Sequence, residues 1–389
     1  MSIAVYTLTS DLHNQSGVDD DMKNLFDSMD VDFTFRGSDY SDYGTHTLDL
    51  IFVRTGGTEG TFLKLLPSLN TLKPFLLLTS GKSNSLAASM EILSFLQLKG
   101  LKGEIIHGNG KQMEARIKSL TKVREALFQL GKSRLGVIGK PSDWLIASHT
   151  QAAVVKDKMG MELIDIPIEE LLAAIPAAKP SVGGETTSAL PGALAIYEGL
   201  KTLVRRYRLD GFTLRCFDLL TAVRNTGCLA LAKLNAEGIV AGCEGDVPSM
   251  ITMRICQLLT GSSGFQANPA RIDTERGEII FAHCTIPFNM LERFEYDTHF
   301  ESGIGIAIRG YVEEGPVTVC KVSPNLNRWF VEEGELLSCQ GKPGLCRTQM
   351  LLRLPCTSYF LKNPIGNHHI IVKGRHKEVL EELMNNLSS

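Results

Sequence analysis

The sequence lacks the features that would assign it to several large classes of protein. No apolar run approaches the roughly 20 residues that a membrane-spanning helix needs. Lysine and arginine total 40 against 43 aspartate and glutamate residues, so the net charge of −3 offers no basic field to nucleic acid. We therefore expect neither a membrane nor a nucleic acid as a partner.

Signals for export and for nucleotide binding are also missing. The first residues enter a strand-like run directly, without the basic and long apolar segments of a signal peptide. The nine cysteines, from Cys216 to Cys356, form no CxxC pair and are odd in number, so we expect reduced thiols in a cytoplasm. Two Gly-Lys-Ser runs, at residues 81–83 and 131–133, lack the first glycine of a phosphate-binding loop, so neither ATP nor NAD is expected.

What the chain does contain is a regular alternation of apolar strand-like runs and helical stretches in its first third. Its 389 residues, 43% hydrophobic and 21% charged, suggest two or three globular domains. Strand–helix alternation with apolar strands predicts a parallel sheet covered by helices on both faces. The predicted strands are Ile3–Leu8, Leu48–Val53, 75–79 and 104–106, and the predicted helices are 20–29, 61–69, Ser85–Leu98 and 112–130.

The alternation starts again after residue 132 and stops near residue 264. We therefore place one α/β domain at residues 1–132 and a second at residues 133–264, with an exposed loop predicted at residues 177–188. Residues 265–389 contain short alternating runs separated by Gly, Pro and Asn, a pattern typical of an antiparallel sheet or a small barrel. A helix is predicted near the end, over Lys377–Leu387.

The most informative segment is Ile-Val-Ala-Gly-Cys-Glu-Gly-Asp at residues 239–246. It is a short apolar strand that stops at two carboxylates, Glu244 and Asp246, just before a predicted helix at residues 248–259. Asp246 is in the position of a helix N-cap, and Pro248 suits the first turn of that helix. Both carboxylates thus follow the carboxyl end of a strand, where open α/β sheets bind their ligands.

Further residue types that can bind a metal follow along the chain. They are Asn268, His283 and the adjacent His368 and His369. Glutamate, histidine and amide oxygens together suit a divalent cation of the Mn²⁺ type. In a strand the two adjacent histidines would point to opposite faces, so only one of them can readily face a metal. Each histidine is also consistent with an ordinary buried or surface position.

Several segments, taken in order and spacing, resemble the L-fucose isomerase and L-arabinose isomerase superfamily, most closely its shorter, fucose-isomerase-like members. The similarity runs from about residue 135 to the end, and more loosely through the first domain. No single short motif is specific, so the order of the motifs carries the resemblance. The segments are LGVIGKPSDWLIAS (135–148), CEGD (243–246), FQANP (265–269), FAHC (281–284), DTHFESG (297–303) and GNHH (366–369).

The resemblance implies an α/β fold of two Rossmann-like (flavodoxin-like) parallel-sheet domains and a C-terminal antiparallel β-barrel-like domain. It implies a Mn²⁺-type cofactor held by Glu244, Asn268 and His368, and a homo-oligomer that is a trimer or a hexamer. The implied activity is an aldose–ketose isomerisation of a sugar through an enediolate. The well-studied family members have an acidic residue at the position of Asn268, and an amide supplies neither charge nor basicity.

Isomerisation needs groups that hold the oxygens of the sugar and that move a proton between C1 and C2. Glu244 is the candidate metal ligand and the candidate base. Asp246 is either a second acid/base or only the cap of the helix. His283 is either another ligand, as its counterpart is in the arabinose branch, or a hydrogen-bond donor to the substrate.

Three other side chains are candidates for substrate binding. Arg215 ends a predicted strand, and it either binds the sugar or pairs with Asp218. Arg347 and Gln349 belong to a polar cluster of the last domain that could reach the sugar. Two alternatives to an isomerase stay open: a sugar-binding homologue that lost turnover through Asn268, and a related sugar epimerase on the same fold.

Overall fold

The chain divides into two units, Met1–Glu125 and Ala126–Ser389, in a computed structural model that describes residues 2–10, 15–177 and 186–387. Most of the predicted loop at residues 177–188 lies outside the described residues. The domain boundaries at residues 132 and 264 stay predictions. In the described part of the chain, no helix combines the length and the apolar character needed to pass through a bilayer.

The first unit contains a five-stranded parallel sheet with helices around it. Its strands are β1 (Ile3–Leu8), β2 (Thr34–Gly37), β3 (Leu48–Val53), β4 (Phe75–Leu78) and β5 (Gly103–Ile106), and its helices are α1 (Gln15–Asp27), α2 (Glu59–Leu65), α3 (Ser85–Leu98) and α4 (Gly110–Lys132), which extends into the second unit. The strand order is β2-β1-β3-β4-β5. Strands β3 and β4 are buried throughout, which is why their apolar runs were recognisable in the sequence. The edge strand β2 was not predicted, because its residues are exposed or half-buried and show no apolar run.

The second unit begins with another parallel sheet. Its strands are β6 (Arg134–Ile138), β7 (Glu162–Ile166), β8 (Gly211–Leu214) and β9 (Val240–Cys243), and its helices are α5 (Ala152–Met159), α6 (Ile168–Ala174), α7 (Thr186–Tyr207), α8 (Cys216–Val223), α9 (Cys228–Ala236) and α10 (Val247–Thr260). The strand order is β7-β6-β8-β9. Leu214 pairs with Cys243, the last residue of β9, so the turns after β8 and β9 leave the same edge of the sheet.

A closed antiparallel barrel follows the second parallel sheet. Its strands are β10 (Phe265–Asp273), β11 (Glu278–His283), β14 (Gly315–Val322), β15 (Trp329–Cys339), β16 (Thr348–Arg353) and β17 (His369–Lys373), and it is accompanied by the hairpin β12 (Arg293–Asp297) and β13 (Ala307–Tyr311) and by the helices α11 (Ser358–Lys362) and α12 (Lys377–Leu387). The closed order is β10-β11-β16-β15-β14-β17. The predicted fold class, two parallel-sheet α/β regions and a C-terminal antiparallel barrel, is confirmed.

A side-chain amide joins the second parallel sheet to the barrel. The backbone N–H of Cys243, at the end of β9, donates to Oε1 of Gln266 on β10 over 2.8 Å. The Nε2 of Gln266 donates to the carbonyl of Cys243 over 3.2 Å. The carboxyl edge of the sheet is therefore held against the barrel at the residue that precedes Glu244.

Candidate metal centre

The turn between β9 and α10 has an uncommon backbone. Glu244 and Gly245 have φ angles of +62° and +70°, and the N–H of Asp246 donates to the carbonyl of Cys243 over 3.2 Å. A Cβ on Gly245 would lie 2.6 Å from the carbonyl oxygen of Lys140, so only glycine fits there. A glutamate in the left-handed region is strained, and such strain concentrates at functional sites. No sequence pattern predicted this conformation.

The two carboxylate oxygens of Glu244 face different partners. Oε1 lies 3.6 Å from Nε2 of His368 and 3.7 Å from Nε2 of His283. Oε2 accepts a hydrogen bond from Nε1 of Trp144 over 2.7 Å. Trp144 thereby holds one oxygen, and the other is aimed at the two histidines. No pattern in the sequence indicated this bond between Trp144 and Glu244.

Three side chains of this region fit a metal ion. Ligand atoms of Glu244, His283 and His368 all lie within 4.8 Å of one another. Separations of 3.6 and 3.7 Å are too long for hydrogen bonds, but two ligands that are each about 2.1 Å from one cation can be up to about 4.2 Å apart. The buried Nε2 of His368 has no hydrogen-bond partner among the described atoms, as expected for an atom that binds a metal.

Charge also favours a cation at this place. Burial alone would raise the pKa of Glu244, but His283 and His368 outweigh it and hold this pKa well below its usual range. Burial alone would lower the pKa of His368, but Asp246 and Glu244 raise it to about 9. Two carboxylates thus require positive charge at His368, which either a proton or a metal ion can supply.

A buried network lies behind His368 and sets the direction of its ring. Nδ1 of His368 is 2.9 Å from Oδ2 of Asp246, so the other nitrogen is turned toward Glu244. Lys321 donates to the two carboxylate oxygens of Asp246 over 3.2 and 3.3 Å and to Oγ of Ser249 over 2.6 Å. Asp246 is 0% and Lys321 1% exposed. The N–H of Ser249 donates to Asp246, so the predicted helix cap is present, and an acid/base role for Asp246 stays a prediction.

Asn268, the third predicted ligand, lies on the wall of a pocket beside this cluster. Glu244, Asn268 and His283 are among the residues that line the pocket. Oδ1 of Asn268 accepts a hydrogen bond from Nδ2 of Asn367 over 3.0 Å. The structure therefore brings together Glu244, His368 and His283, which the sequence had offered as an alternative ligand, and it places Asn268 at the wall. Metal binding by Asn268 stays a prediction.

Arg215, Arg347 and Gln349, the other candidates for substrate binding besides His283, are engaged with protein groups, and none of these three lines this pocket. Arg215 donates to Asp218 over 2.7 Å and to Asp143 over 2.9 Å, so the ion-pair alternative from the sequence is present. Arg347 donates to the carbonyl of Thr298 over 2.7 Å. The side-chain amide of Gln349 bonds only to backbone atoms of residues 342 and 346. Their contact with a substrate stays a prediction.

Several residues of the site were not predicted from the sequence. The pocket is lined by five cysteines, which are Cys216, Cys228, Cys243, Cys284 and Cys346. All nine cysteines of the chain are free thiols. Lys321 gave one usable signal, because it is the single charged residue in the otherwise apolar or small run Val-Thr-Val-Cys-Lys-Val of β14. A charge inside such a run indicates a buried partner.

Comparisons with known proteins point toward sugar isomerases. No family model matches the chain. A sulfoquinovose isomerase of Priestia aryabhattai is 23% identical over 235 residues, which are 55% of this chain and 52% of the relative. One of Alkalicoccus urumqiensis is 22% identical over 232 residues, 54% of this chain and 52% of the relative. One of Clostridium sp. is 31% identical over 90 residues, 23% of this chain and 20% of the relative. The matches to the first two relatives thus cover only about half of their length.

The strained backbone at Glu244 can be tested with two variants that both remove the carboxylate. We expect Glu244→Gly to be more stable than Glu244→Ala by about 1–2 kcal/mol, because only alanine has a Cβ that penalises the left-handed region. The free energies of unfolding in urea give the difference. At an ordinary negative φ the order would be reversed, since alanine then stabilises by about 0.4–1 kcal/mol; that order would contradict the turn described above.

The buried network can be tested at Lys321. We expect Lys321→Met to lower the free energy of unfolding by about 3–5 kcal/mol, because Asp246 would be left buried without its cation. Lys373→Met is a matched control on the neighbouring strand β17, where an exposed pair with Glu313 should contribute at most about 1 kcal/mol. Urea unfolding measures both. Equal losses in the two variants would show that Lys321 does not support Asp246.

Proposed function

We propose that the protein is a metal-dependent aldose–ketose isomerase that acts on a sugar through an enediolate. The observation that carries the proposal is the cluster of Glu244, His283 and His368, of which Glu244 and His283 line a pocket. Relatives named sulfoquinovose isomerase support a sugar isomerase independently of that geometry. Membership of the L-fucose and L-arabinose isomerase superfamily is part of the proposal.

The residues that would hold the cofactor are Glu244, His283 and His368, with the amide of Asn268 beside them. One carboxylate, two imidazoles and an amide oxygen suit Mn²⁺ or a related divalent cation. A cation held there would supply Lewis-acid chemistry: it would polarise the carbonyl of the open-chain sugar and would stabilise negative charge that develops on the sugar oxygens. Asp246 keeps Nδ1 of His368 occupied, so that Nε2 stays available as a ligand.

Glu244 is the proposed carrier of the carbon-bound proton. Its carboxylate is kept ionised by the two histidines, and Trp144 orients it through Oε2. In this role it takes the proton from C2 of the aldose and returns it to C1, while the hydroxyl proton of O2 passes to O1, so that C2 becomes the carbonyl of the ketose. Asp246 has three partners within the protein and is fully buried, so we assign it to positioning His368.

The pocket favours a sugar without an anionic group. Its described lining includes the carboxylates Glu244 and Glu301 and no lysine or arginine. Arg215 and Arg347 are engaged with acidic and carbonyl groups of the protein itself. A phosphate, or a sulfonate such as that of the sulfoquinovose in the relatives' names, would find no fixed cation here. The substrate class is therefore a neutral aldose.

Two alternatives to an isomerase stay open, and Asn268 bears on the first of them. A neutral amide adds no charge to the metal site and cannot accept a proton, which favours a sugar-binding homologue that has lost turnover. An epimerase on the same fold would use the same metal and would invert a carbon without moving the carbonyl. The homo-oligomer, a trimer or a hexamer, and the cytoplasmic location stay predictions.

Metal binding can be measured without a substrate. With Mn²⁺ at about 100 times its dissociation constant, we expect a stabilisation of about 2.7 kcal/mol and a rise in Tm of roughly 3–5 °C. His368→Gln should lose this rise, because it removes a ligand nitrogen. His376→Gln is the matched control, since His376 is in contact with a backbone carbonyl outside the pocket. An equal Mn²⁺-induced rise in Tm in the two variants would show that His368 is not a metal ligand.

The activity itself is tested with a panel of neutral, phosphorylated and sulfonated aldoses in the presence of Mn²⁺. We expect a ketose from a neutral sugar, and a kcat/KM at least about tenfold lower for anionic sugars, because a missing charged hydrogen bond is equivalent to about 1.5–3 kcal/mol. Glu244→Gln should form no ketose. A sugar that raises Tm but gives no product would support the binding homologue, and an epimer in place of a ketose would support the epimerase.

A further inference from the structure

The loop after β12 presents a histidine to the same pocket. His299 is 9% exposed, and it lines the pocket together with Glu244 and Asn268. The loop is held closed by its own backbone: the N–H of His299 donates to the carbonyl of Ile304 over 3.0 Å, and the N–H of Gly303 donates to the carbonyl of His299 over 2.8 Å. A histidine on such a loop is fixed in place before any ligand arrives.

The ring of His299 has one nitrogen occupied and the other available. Nδ1 lies 3.1 Å from Oγ of Ser302 and accepts a hydrogen bond from the backbone N–H of Ser302 over 3.4 Å. A backbone N–H can only donate, so the neutral ring carries its hydrogen on Nε2. Among the described residues, no hydrogen bond involves Nε2 of His299. This N–H is thus a donor without a protein acceptor, on a side chain that lines the pocket.

Aromatic contacts link His299 to the residues around Glu244. The ring of His299 meets Phe217 edge-on, with centroids 5.7 Å apart, and Phe217 meets Trp144 edge-on at 4.9 Å. Trp144 in turn donates to Glu244. His299 is therefore connected to Glu244 through two ring contacts and one hydrogen bond.

The proposed reaction needs a donor of this kind. When the C2 proton of the aldose is removed, its electron pair forms the C1=C2 double bond and the carbonyl electrons move to O1. Negative charge thus develops on oxygen, and a preorganised neutral donor stabilises it more in the transition state than in the substrate. A neutral imidazole is suited to this because it donates without adding a cation to the site.

We propose that His299 donates a hydrogen bond from Nε2 to the enediolate oxygens and so stabilises the charge that develops there. This inference rests on the proposed isomerase function. Glu301, which also lines the pocket, is an exposed acid without a hydrogen to donate when ionised. His283 belongs to the metal cluster, so His299 is the remaining imidazole of the described lining.

The test compares His299→Phe, His299→Gln and the wild type in the Mn²⁺-loaded full chain. His299→Phe keeps the ring but loses the donor, so kcat should fall by about 10²–10³-fold with a smaller change in KM. His299→Gln, which retains an N–H donor, should recover part of the loss. His376→Phe, outside the pocket, should leave kcat unchanged. The Mn²⁺-induced rise in Tm should be the same in every variant.

A binding measurement separates the proposed role from a structural one. A sugar hydroxamate imitates the enediolate, and a polyol imitates the uncharged substrate. We expect His299→Phe to weaken hydroxamate binding in proportion to the loss of kcat and to leave polyol binding nearly unchanged.

Two results would overturn the inference: a wild-type kcat in His299→Phe, or an equal loss of affinity for both ligands. A wild type that forms no ketose would refute the proposed function instead. In such a protein, equal hydroxamate affinity in the wild type and in His299→Phe would refute the inference as well.

Discussion

The hydrogen bond between Asp246 and Nδ1 of His368, 2.9 Å long, is the contact on which the site depends. Asp246 belongs to the turn that ends a strand of the parallel sheet, and His368 immediately precedes a strand of the barrel. Because Glu244 is in the same turn as Asp246, this bond also brings the Glu244 carboxylate to 3.6 Å from Nε2 of His368. The ammonium group of Lys321 and the N-cap position at the start of α10 keep Asp246 in place. The geometry of the site therefore depends on this buried network.

The network combines features that lower the stability of the protein with features that suit metal binding. The left-handed Glu244 and a buried lysine each cost stability, and both occur next to the proposed ligands. In return, Glu244 points one oxygen at two histidines, and His368 presents an unbonded nitrogen. The rest of the pocket wall carries no lysine or arginine among the described residues. This distribution of charge is the basis for the metal ion and the neutral sugar that we propose.

Much of the fold could be predicted because its signals are local. The apolar strands, the proline in the first turn of α10 and the cap at Asp246 depend on neighbours in sequence. The edge strand β2 was missed because it is short and partly exposed. In the site, Glu244 and Asp246 could be predicted because they directly follow the carboxyl end of an apolar strand. His368 was chosen over His369 only because of the resemblance to a family.

The other parts of the site depend on contacts between residues that are far apart in the sequence. Trp144 reaches Glu244 across 100 positions, and Lys321 reaches Asp246 across 75. Arg215 was expected at the sugar, but its ion pair with Asp143, 72 positions away, engages it within the protein. No local pattern encodes such pairs, and only the folded chain reveals them.

The central claim is that Glu244, His283 and His368 bind one divalent cation. Anomalous diffraction from a crystal of the protein grown with Mn²⁺ tests it most directly. The account predicts a single strong peak about 2.0–2.3 Å from a carboxylate oxygen of Glu244 and from one nitrogen of each histidine. A peak elsewhere, or none while the protein is fully occupied by Mn²⁺ in solution, would contradict it.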